Sequence, residues 1–439
     1  MALVPGLFDE SDPRRHVADA ADLPQTLDER TLVSAPSILI SGASIAGPAL
    51  AHWLNAAGWR TTVVERFDVL RESGQNIDVR GASRAVVRRM GIEDALFATR
   101  TGEQGTEFVD DHGRSIAAFP QSASTIDGAT AELEILRGEL SRVIYESALP
   151  ATEYLFGDQI TDLDDTGDRV RVTFKSSRPR SFDLVVIAEG LTSRTRSMIM
   201  PQAGIKHLGL YMAYLTIPRT AEDNDWWRWY HTTDQRQVTL RPDNFGTIRA
   251  TLAFMTNVRG LEDLTQRDQT AVLRRTFSGA GWATERIPDS LDAAPYYFDA
   301  VGQVRLPTWS RGRVGLVGDA AYCASPLSGM GTSLSLVGAY VLACELASTD
   351  DHRSAFAGFE EKMRPYVAGA QDLPPGAPGL AYPRTRAGVT TLRTVARIAG
   401  SRPAQRLALA DRLASTSADD FTLPDFPTDA SWAARSEAS

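Results

Sequence analysis

The 439-residue chain is 43% hydrophobic and 23% charged, the composition of an ordinary globular protein, and its length suits two or three domains or one two-lobed enzyme. A net charge of −9 argues against nucleic acid or an anionic membrane as the main partner, and only two cysteines, Cys323 and Cys344, exclude a disulfide framework and point to a reducing, cytoplasmic setting. No run is expected to reach the ~18 apolar residues of a membrane helix, and residues 1–30 lack the apolar centre of a secretory signal.

Residues 1–35, rich in charge and without a clear period, read as an N-terminal arm, either packed on the body or a flexible tail. Folded structure begins at Ser37–Ile40, a short buried strand. A glycine turn follows, Gly42-Ala43-Ser44-Ile45-Ala46-Gly47, and then a helix over Pro48–Ala57, with Pro48 suited to its first turn. Gly58 ends the helix and Trp59–Glu65 reads as the next strand, completing a βαβ unit. Gly42 permits a tight turn, a small Ser44 lets backbone approach a pyrophosphate, and Gly47 lets the helix pack close to the sheet with its N-terminus facing the phosphates. Glu65 ends the second strand, where an acid can accept hydrogen bonds from an adenosine ribose. Ile45, Ala46 and Arg66 are further cofactor-binding candidates beside these. Serine at the central glycine position weakens the pattern, and the alternative is a merely structural βαβ turn.

The stretch DLVVIAEGLTSRTR (183–196) is a buried strand ending at Glu189-Gly190, then a polar turn with Ser193, Arg194 and Arg196; an ordinary strand end is the alternative. Between 206 and 300 the texture changes. QVTL (237–240) and IRATLAFM (248–255) form a hairpin through RPDNFG (241–246). Alternation places Ile248, Ala250, Leu252 and Phe254 on one face and Arg249 and Thr251 on the other, the pattern of an antiparallel sheet with one wet face. This region is rich in aromatics. Trp227-Arg228-Trp229 is assigned to packing and His231 to a partly exposed strand position, the alternative for His231 being a base or a hydrogen-bond donor to a phenol.

In GLVGDAAYCASPLSGMGTSLSL (315–336) an apolar strand ends at Gly318-Asp319, a loop of small residues carries Pro326, Gly329, Met330 and Gly331, and a helix begins at Thr332. Asp319 offers an acceptor at the sheet's carboxyl edge, the small loop lets backbone lie against a flat ring, and the helix aims its positive end there. Cys323 reads as a small buried filler. Helical sequence returns after 353, broken by a long loop at LPPGAPG (373–379), and the last twenty or so residues look frayed. No cluster has metal-ligand spacing and no nucleophile triad is suggested.

These three pieces, in this order, resemble the class A, single-component FAD-dependent aromatic monooxygenases of the para-hydroxybenzoate hydroxylase superfamily over roughly residues 36–360. Within it the chain is most similar to the tetracycline-inactivating and polyketide-tailoring monooxygenases. The resemblance implies an α/β fold. A Rossmann-like FAD-binding domain of the GR2 type would be assembled from 36–105, 133–205 and 301–360. A mostly antiparallel β-sheet substrate domain would come from 106–132 and 206–300, with a helical region over 361–439. It implies FAD as cofactor, NADPH or NADH as transient co-substrate, and O2. An aromatic or polyketide-type small molecule would be hydroxylated through a flavin C4a-hydroperoxide. It implies a monomer or weak homodimer with neither nucleic acid nor membrane as partner.

Carried onto this sequence, the resemblance places Gly42, Ser44 and Gly47 at the pyrophosphate and Glu65 at the ribose. Arg137 of EILRGEL (134–140) would approach the phosphate and ribityl region. Gly318-Asp319 would hold the ribityl chain, and Pro326, Gly329, Met330 and Gly331 would line the ring. GQNIDVRG (74–81) matches the loop bordering the flavin, with Arg80 and Asp78 as candidates. The chain departs from the family at Glu189, usually Asp, and at Tyr322, often His. It departs again at Ser328 and Met330, in a loop often written with Gly and Gln, and at Ser333, near a frequent Asn. These departures bear on flavin reduction more than on FAD binding. A non-redox flavoprotein cyclase of polyketide biosynthesis and a drug-sequestering binding protein are the alternatives.

Overall fold

The computed structural model describes residues 35–71, 74–120, 133–403 and 421–427, so the expected N-terminal arm lies outside the described residues except for Ala35. The chain opens with β1 (Ser37–Ser41), α1 (Ala46–Ala56), β2 (Arg60–Glu65), β3 (Asn76–Val79), α2 (Gly81–Arg89), α3 (Glu93–Ala98), β4 (Gly105–Val109) and β5 (Ser115–Pro120). It continues with β6 (Leu133–Leu136), α4 (Arg137–Ala148), β7 (Thr152–Phe156), β8 (Ile160–Asp165), β9 (Val170–Phe174), β10 (Arg180–Phe182), β11 (Leu184–Ile187) and α5 (Arg194–Ile199). Then come β12 (Ile205–Pro218), β13 (Trp227–Thr232), β14 (Arg236–Pro242), β15 (Thr247–Met255), α6 (Gln266–Phe277), α7 (Ile287–Ala293) and β16 (Tyr297–Val304). The last elements are β17 (Ser310–Arg311), β18 (Val314–Leu316), α8 (Asp319–Tyr322), α9 (Gly331–Ser348), α10 (His352–Gln371) and α11 (Arg386–Ala399).

Strands β1, β11 and β18 are buried at every residue, the pattern of a parallel sheet covered on both faces. They belong to a six-stranded sheet of order β17-β18-β11-β1-β2-β7, parallel except for the edge strand β17. From β1 the chain moves outward through β2 to β7, then returns to place β11 and β18 on the other side. β1 is therefore a topological switch point, where the carboxyl ends of two neighbouring strands diverge and open a crevice. Helix α9 is long and apolar enough to cross a membrane by length and composition, against the expectation that no run would be; 83% of it is buried inside the protein, as a core helix.

The middle of the chain forms a seven-stranded sheet, β16-β12-β15-β14-β13-β4-β5, antiparallel except between β13 and β4. The expected hairpin is β14–β15, in register from Arg236↔Phe254 to Pro242↔Ile248. Its turn is held by Asp243, whose carboxylate accepts the N–H groups of Phe245 and Thr247 at 3.0 and 2.8 Å. One face of the sheet packs Tyr211, Tyr230, Leu240, Ile248, Leu252 and Phe254 with Leu273, Phe277, Ile287 and Leu291 from α6 and α7. The other face, expected to be wet, is the wall of a cavity. Alternation signals a site here rather than bulk solvent.

Three further expectations are corrected. GQNIDVRG is no loop: Asn76–Val79 is β3, paired antiparallel with β6. His231 is buried in β13 rather than partly exposed. The chain's end is not simply frayed, because residues 421–427 strap across the helices. Phe426 packs 5.1 Å from Trp53, Phe421 packs 4.9 Å from Tyr366, and the Pro424 carbonyl accepts from Tyr340 and Arg89 at 2.7 and 2.8 Å.

The β3–β6 ribbon meets the seven-stranded sheet through a buried charge cluster. Arg241 of β14 lies 2.9 Å from Asp78 and 3.2 Å from Glu134, and hydrogen-bonds Glu103. Trp227 covers its guanidinium at 4.2 Å. Three carboxyls around one cation carry excess negative charge, and both Glu134 oxygens and Glu103 Oε1 are buried without a hydrogen-bond partner. A proton held by the Glu103–Glu134 pair relieves this. Burial pushes both carboxyls up, more than Arg241 pulls them down. A carboxyl that keeps its proton only in the folded chain makes folding take up a proton. Stability therefore falls as pH rises from the ordinary carboxylate range toward the raised value. Glu134→Gln, which mimics the protonated acid, is expected to leave unfolding near pH 5 almost unchanged and to stabilise the protein relative to the native chain near pH 9. Urea melts across about pH 5–9 measure this; an unchanged decline would rule out Glu134 as the proton holder.

Candidate functional site

The crevice at the end of β1 and β11 opens into a cavity of about 840 Å³, within the range of small-molecule sites. Its first wall is the β1–α1 turn. Gly42 has φ +114°, and a Cβ there would stand 2.5 Å from the Ala188 carbonyl oxygen. A Cβ on Gly47 would come within 1.9 Å of the Gly42 carbonyl oxygen. Gly47 thus works from behind the wall and does not line the cavity, whereas Gly42, Ser44, Ile45, Ala46, Glu65 and Arg66 do. The Ala43 N–H donates to Glu65 Oε2 at 2.9 Å, so the turn fixes the acid at the end of β2.

Ser44, the departure from glycine, has a partner. Arg137 Nη2 donates to its Oγ at 2.7 Å. Arg137 begins α4 and lines the cavity. Among the described residues no carboxylate forms an ion pair with it. Burial and neighbouring Arg71 hold its pKa below the ordinary value. A cation so placed calls for an anion. The starts of α1 and α9 add to this: their N-cap positions, Ile45 and Met330, make no side-chain cap, leaving first-turn N–H groups for a ligand. An anionic dinucleotide fits this donor set.

The second motif builds the crevice floor. The Glu189 carboxylate accepts from Ser41 Oγ at 2.6 Å, Ser193 Oγ at 2.7 Å, Thr195 Oγ1 at 2.5 Å and the Thr195 N–H at 3.2 Å. Its extra methylene lets one side chain tie β11 to both β1 and α5. Arg196 donates to the carbonyls of Ala320 and Leu191 at 3.2 and 2.8 Å, a structural tie, while Arg194 is exposed at the cavity.

In the third motif Asp319, Pro326, Gly329 and Gly331 line the cavity, as do Arg80 and Asp78. Burial raises the Asp319 carboxyl, opposed by Cys323 and Arg137. Gly318 and Met330 stand behind. Gly318 turns the chain at φ +65°, and the Met330 Sδ receives Arg80 Nη2 at 3.7 Å. Tyr322 faces away from the cavity into the core, 4.6 Å from Trp309. Ser333 meets Ser83 at 3.1 Å, and Ser328 shapes the loop by accepting the Met330 N–H at 3.1 Å. Cys323 borders the cavity as a buried thiol whose pKa burial raises.

The opposite wall is the seven-stranded sheet: Met212 and Tyr214 of β12, Trp227 and Trp229 of β13, Gln237, Thr239 and Arg241 of β14, Arg249 and Thr251 of β15. Trp227 and Trp229, expected as packing, are wall residues. Tyr382, from the loop between α10 and α11, joins them and had no sequence signal of its own. The alternating polar run Gln237, Thr239, Arg241 could have marked β14 as site-facing. Among the described residues no group of three His, Cys, Asp or Glu could hold a metal ion.

Residues 36–355 match the FAD binding domain family. An uncharacterized protein of Mycobacterium tuberculosis is 39% identical over 354 residues, covering 78% of this chain and 95% of that protein. A FAD-dependent monooxygenase of Sarocladium schorii is 33% identical over 423 residues, covering 89% and 98%. The crystal structure of the tetracycline destructase Tet(55) superposes with a TM-score of 0.72 at 30% identity, covering 89% of this chain and 99% of that one. Neither the cyclase nor the sequestering alternative is favoured by these relatives. The chain therefore belongs to the FAD binding domain family, as one of its flavin-dependent monooxygenases.

Proposed function

We propose that this monooxygenase takes NADPH or NADH as reductant and hydroxylates a flat aromatic or polyketide-type molecule. The observation that carries this is a single cavity with two unlike walls: a dinucleotide cradle on one side, and on the other a sheet face that mixes Trp227, Trp229 and Tyr214 with a few polar groups. The likeness to a tetracycline destructase supports a polycyclic substrate.

In this reading the Gly42–Ala46 turn and the start of α1 take the pyrophosphate, with Arg137 as its counter-charge. Glu65 and Arg66 meet the adenosine end, and Asp319 meets the ribityl chain. Arg80, Pro326, Gly329 and Gly331 border the ring, while Gly47, Gly318 and Met330 support these surfaces from behind. Bound FAD supplies the electron and oxygen transfer. The chain's own residues would bind, orient and dry the site: Trp227, Trp229 and Met212 would exclude water from the sheet side of the cavity, and the first turn of α9 would present N–H groups where negative charge develops. No side chain is required as a nucleophile.

Two tests follow. Arg137→Met removes a charge-assisted contact of about 1.5–3 kcal/mol, so FAD should bind roughly 10- to 100-fold more weakly. Flavin absorbance retained per protein after gel filtration reads this, and full retention would remove Arg137 from the cofactor site. In the second, anaerobic holoenzyme is mixed with NADPH or NADH, with and without polycyclic phenols, while the flavin band is followed. Bleaching accelerated by one compound class is expected; a flavin that stays oxidised with every donor would overturn the proposed use of reduced nicotinamide.

A further inference from the structure

One hydrogen-bonded chain on the sheet wall takes no part in the cofactor cradle. Tyr382 is 3% exposed and packs with Met212, Tyr214 and Leu327, where the loop before α9 meets the sheet. Backbone alone pins its segment: the Asp234 N–H donates to the Arg384 carbonyl at 3.0 Å and the Gln235 N–H to that of Pro383 at 3.1 Å. Its hydroxyl donates to Gln237 Oε1 at 3.2 Å, and Gln237 Nε2 lies 2.8 Å from His231 Nε2. His231 is off the cavity, stacked 5.8 Å from Phe108 at 12°.

The Gln237 amide gives this chain its polarity, with Nε2 toward His231 and Oε1 toward Tyr382. Burial and nearby Arg393 push the His231 pKa down to about 3, so the ring is neutral and its Nε2 can accept. In the tautomer protonated at Nδ1 it receives the Gln237 amide N–H, with Oε1 turned toward Tyr382. The tyrosine's hydrogen is thereby committed, its oxygen keeps acceptor capacity, and the residue lines the cavity. The charged groups on the same wall are already paired, Arg241 with Asp78, Glu103 and Glu134, and Arg249 with Asp243. The wall suits a neutral donor rather than an anion.

We propose that the Tyr382 hydroxyl, oriented through Gln237 by His231, accepts a hydrogen bond from a phenol or enol hydroxyl of the substrate. Tyr382 is then a specificity-determining residue and His231 a positioning residue. The assignment rests on the reading of a flat aromatic or polyketide-type substrate.

The test is binding to FAD-loaded enzyme without reductant, by calorimetry, of 2-naphthol and 9-phenanthrol against their methyl ethers. The native protein is expected to bind each phenol roughly tenfold more tightly than its ether. Tyr382→Phe keeps the ring and the backbone bonds, and should bring that ratio to about one without weakening the ether. His231→Phe, which does not reach the cavity, should lower the ratio a few-fold. Equal binding of phenol and ether by the native protein, no binding of either phenol, or equal weakening of both by Tyr382→Phe would overturn the proposal. Flavin reduction by NADPH, followed on the same preparations, separates the two readings: reducible flavin with no hydroxyl preference sinks the role of Tyr382 alone.

Discussion

The approach of Gly47 to the Gly42 carbonyl fixes where α1 starts, and much of the site follows from that one contact. Because no Cβ stands between them, the helix begins directly over the turn and its uncapped first residues face the crevice. The turn in turn presents the Ala43 N–H to Glu65 and the Ser44 hydroxyl to Arg137. A methyl group at either glycine would meet backbone rather than the flexible end of a side chain, so the conflict could be relieved only by moving β1, β11 or α1. The cradle is in this sense a backbone device, with side chains recruited to it.

The second constraint is electrostatic and holds the two walls together. Arg241 reaches from the seven-stranded sheet to Asp78 and Glu134 of the β3–β6 ribbon and to Glu103, just before β4. Buried ion pairs are weak sources of net stability, since desolvation offsets the Coulomb attraction. Their value is positional: Asp78 and Arg241 both border the cavity, so the cluster sets the spacing between cofactor wall and substrate wall. Holding one proton in the Glu103–Glu134 pair avoids adding further negative charge to that junction.

What could be read in the sequence was local. Strand, turn and helix follow one another within residues 37–65, 183–199 and 314–348, so periodicity, glycine spacing and strand-end acids exposed each of these motifs. The hairpin β14–β15 was legible for the same reason. What escaped depends on distant residues meeting. Asn76–Val79 is a strand only because Leu133–Leu136 pairs with it, and its polar composition imitates a loop. Glu103, Glu134 and Arg241 look like ordinary surface charges until the sheet brings them together. Tyr382 sits in a Pro/Gly-punctuated loop whose docking on the Asp234–Gln235 turn has no local signature. The period-two pattern itself was read correctly, but a polar strand face looks the same whether it meets bulk water or a ligand cavity.

The departures from the family pattern take a different meaning once placed. Ser44 gains Arg137 as a partner, and Glu189 uses its extra length to gather Ser41, Ser193 and Thr195. Tyr322 points into the core, and Ser328 and Ser333 are spent on loop and helix contacts. None of these changes removes a backbone N–H from the cradle. Substitution at such positions redistributes side-chain ties behind the site while the main chain keeps its shape. A site built mainly from turn geometry and helix starts can therefore tolerate altered motif residues. In the proposed reading, discrimination among substrates falls instead to the sheet wall and the Tyr382 loop, where side chains line the cavity.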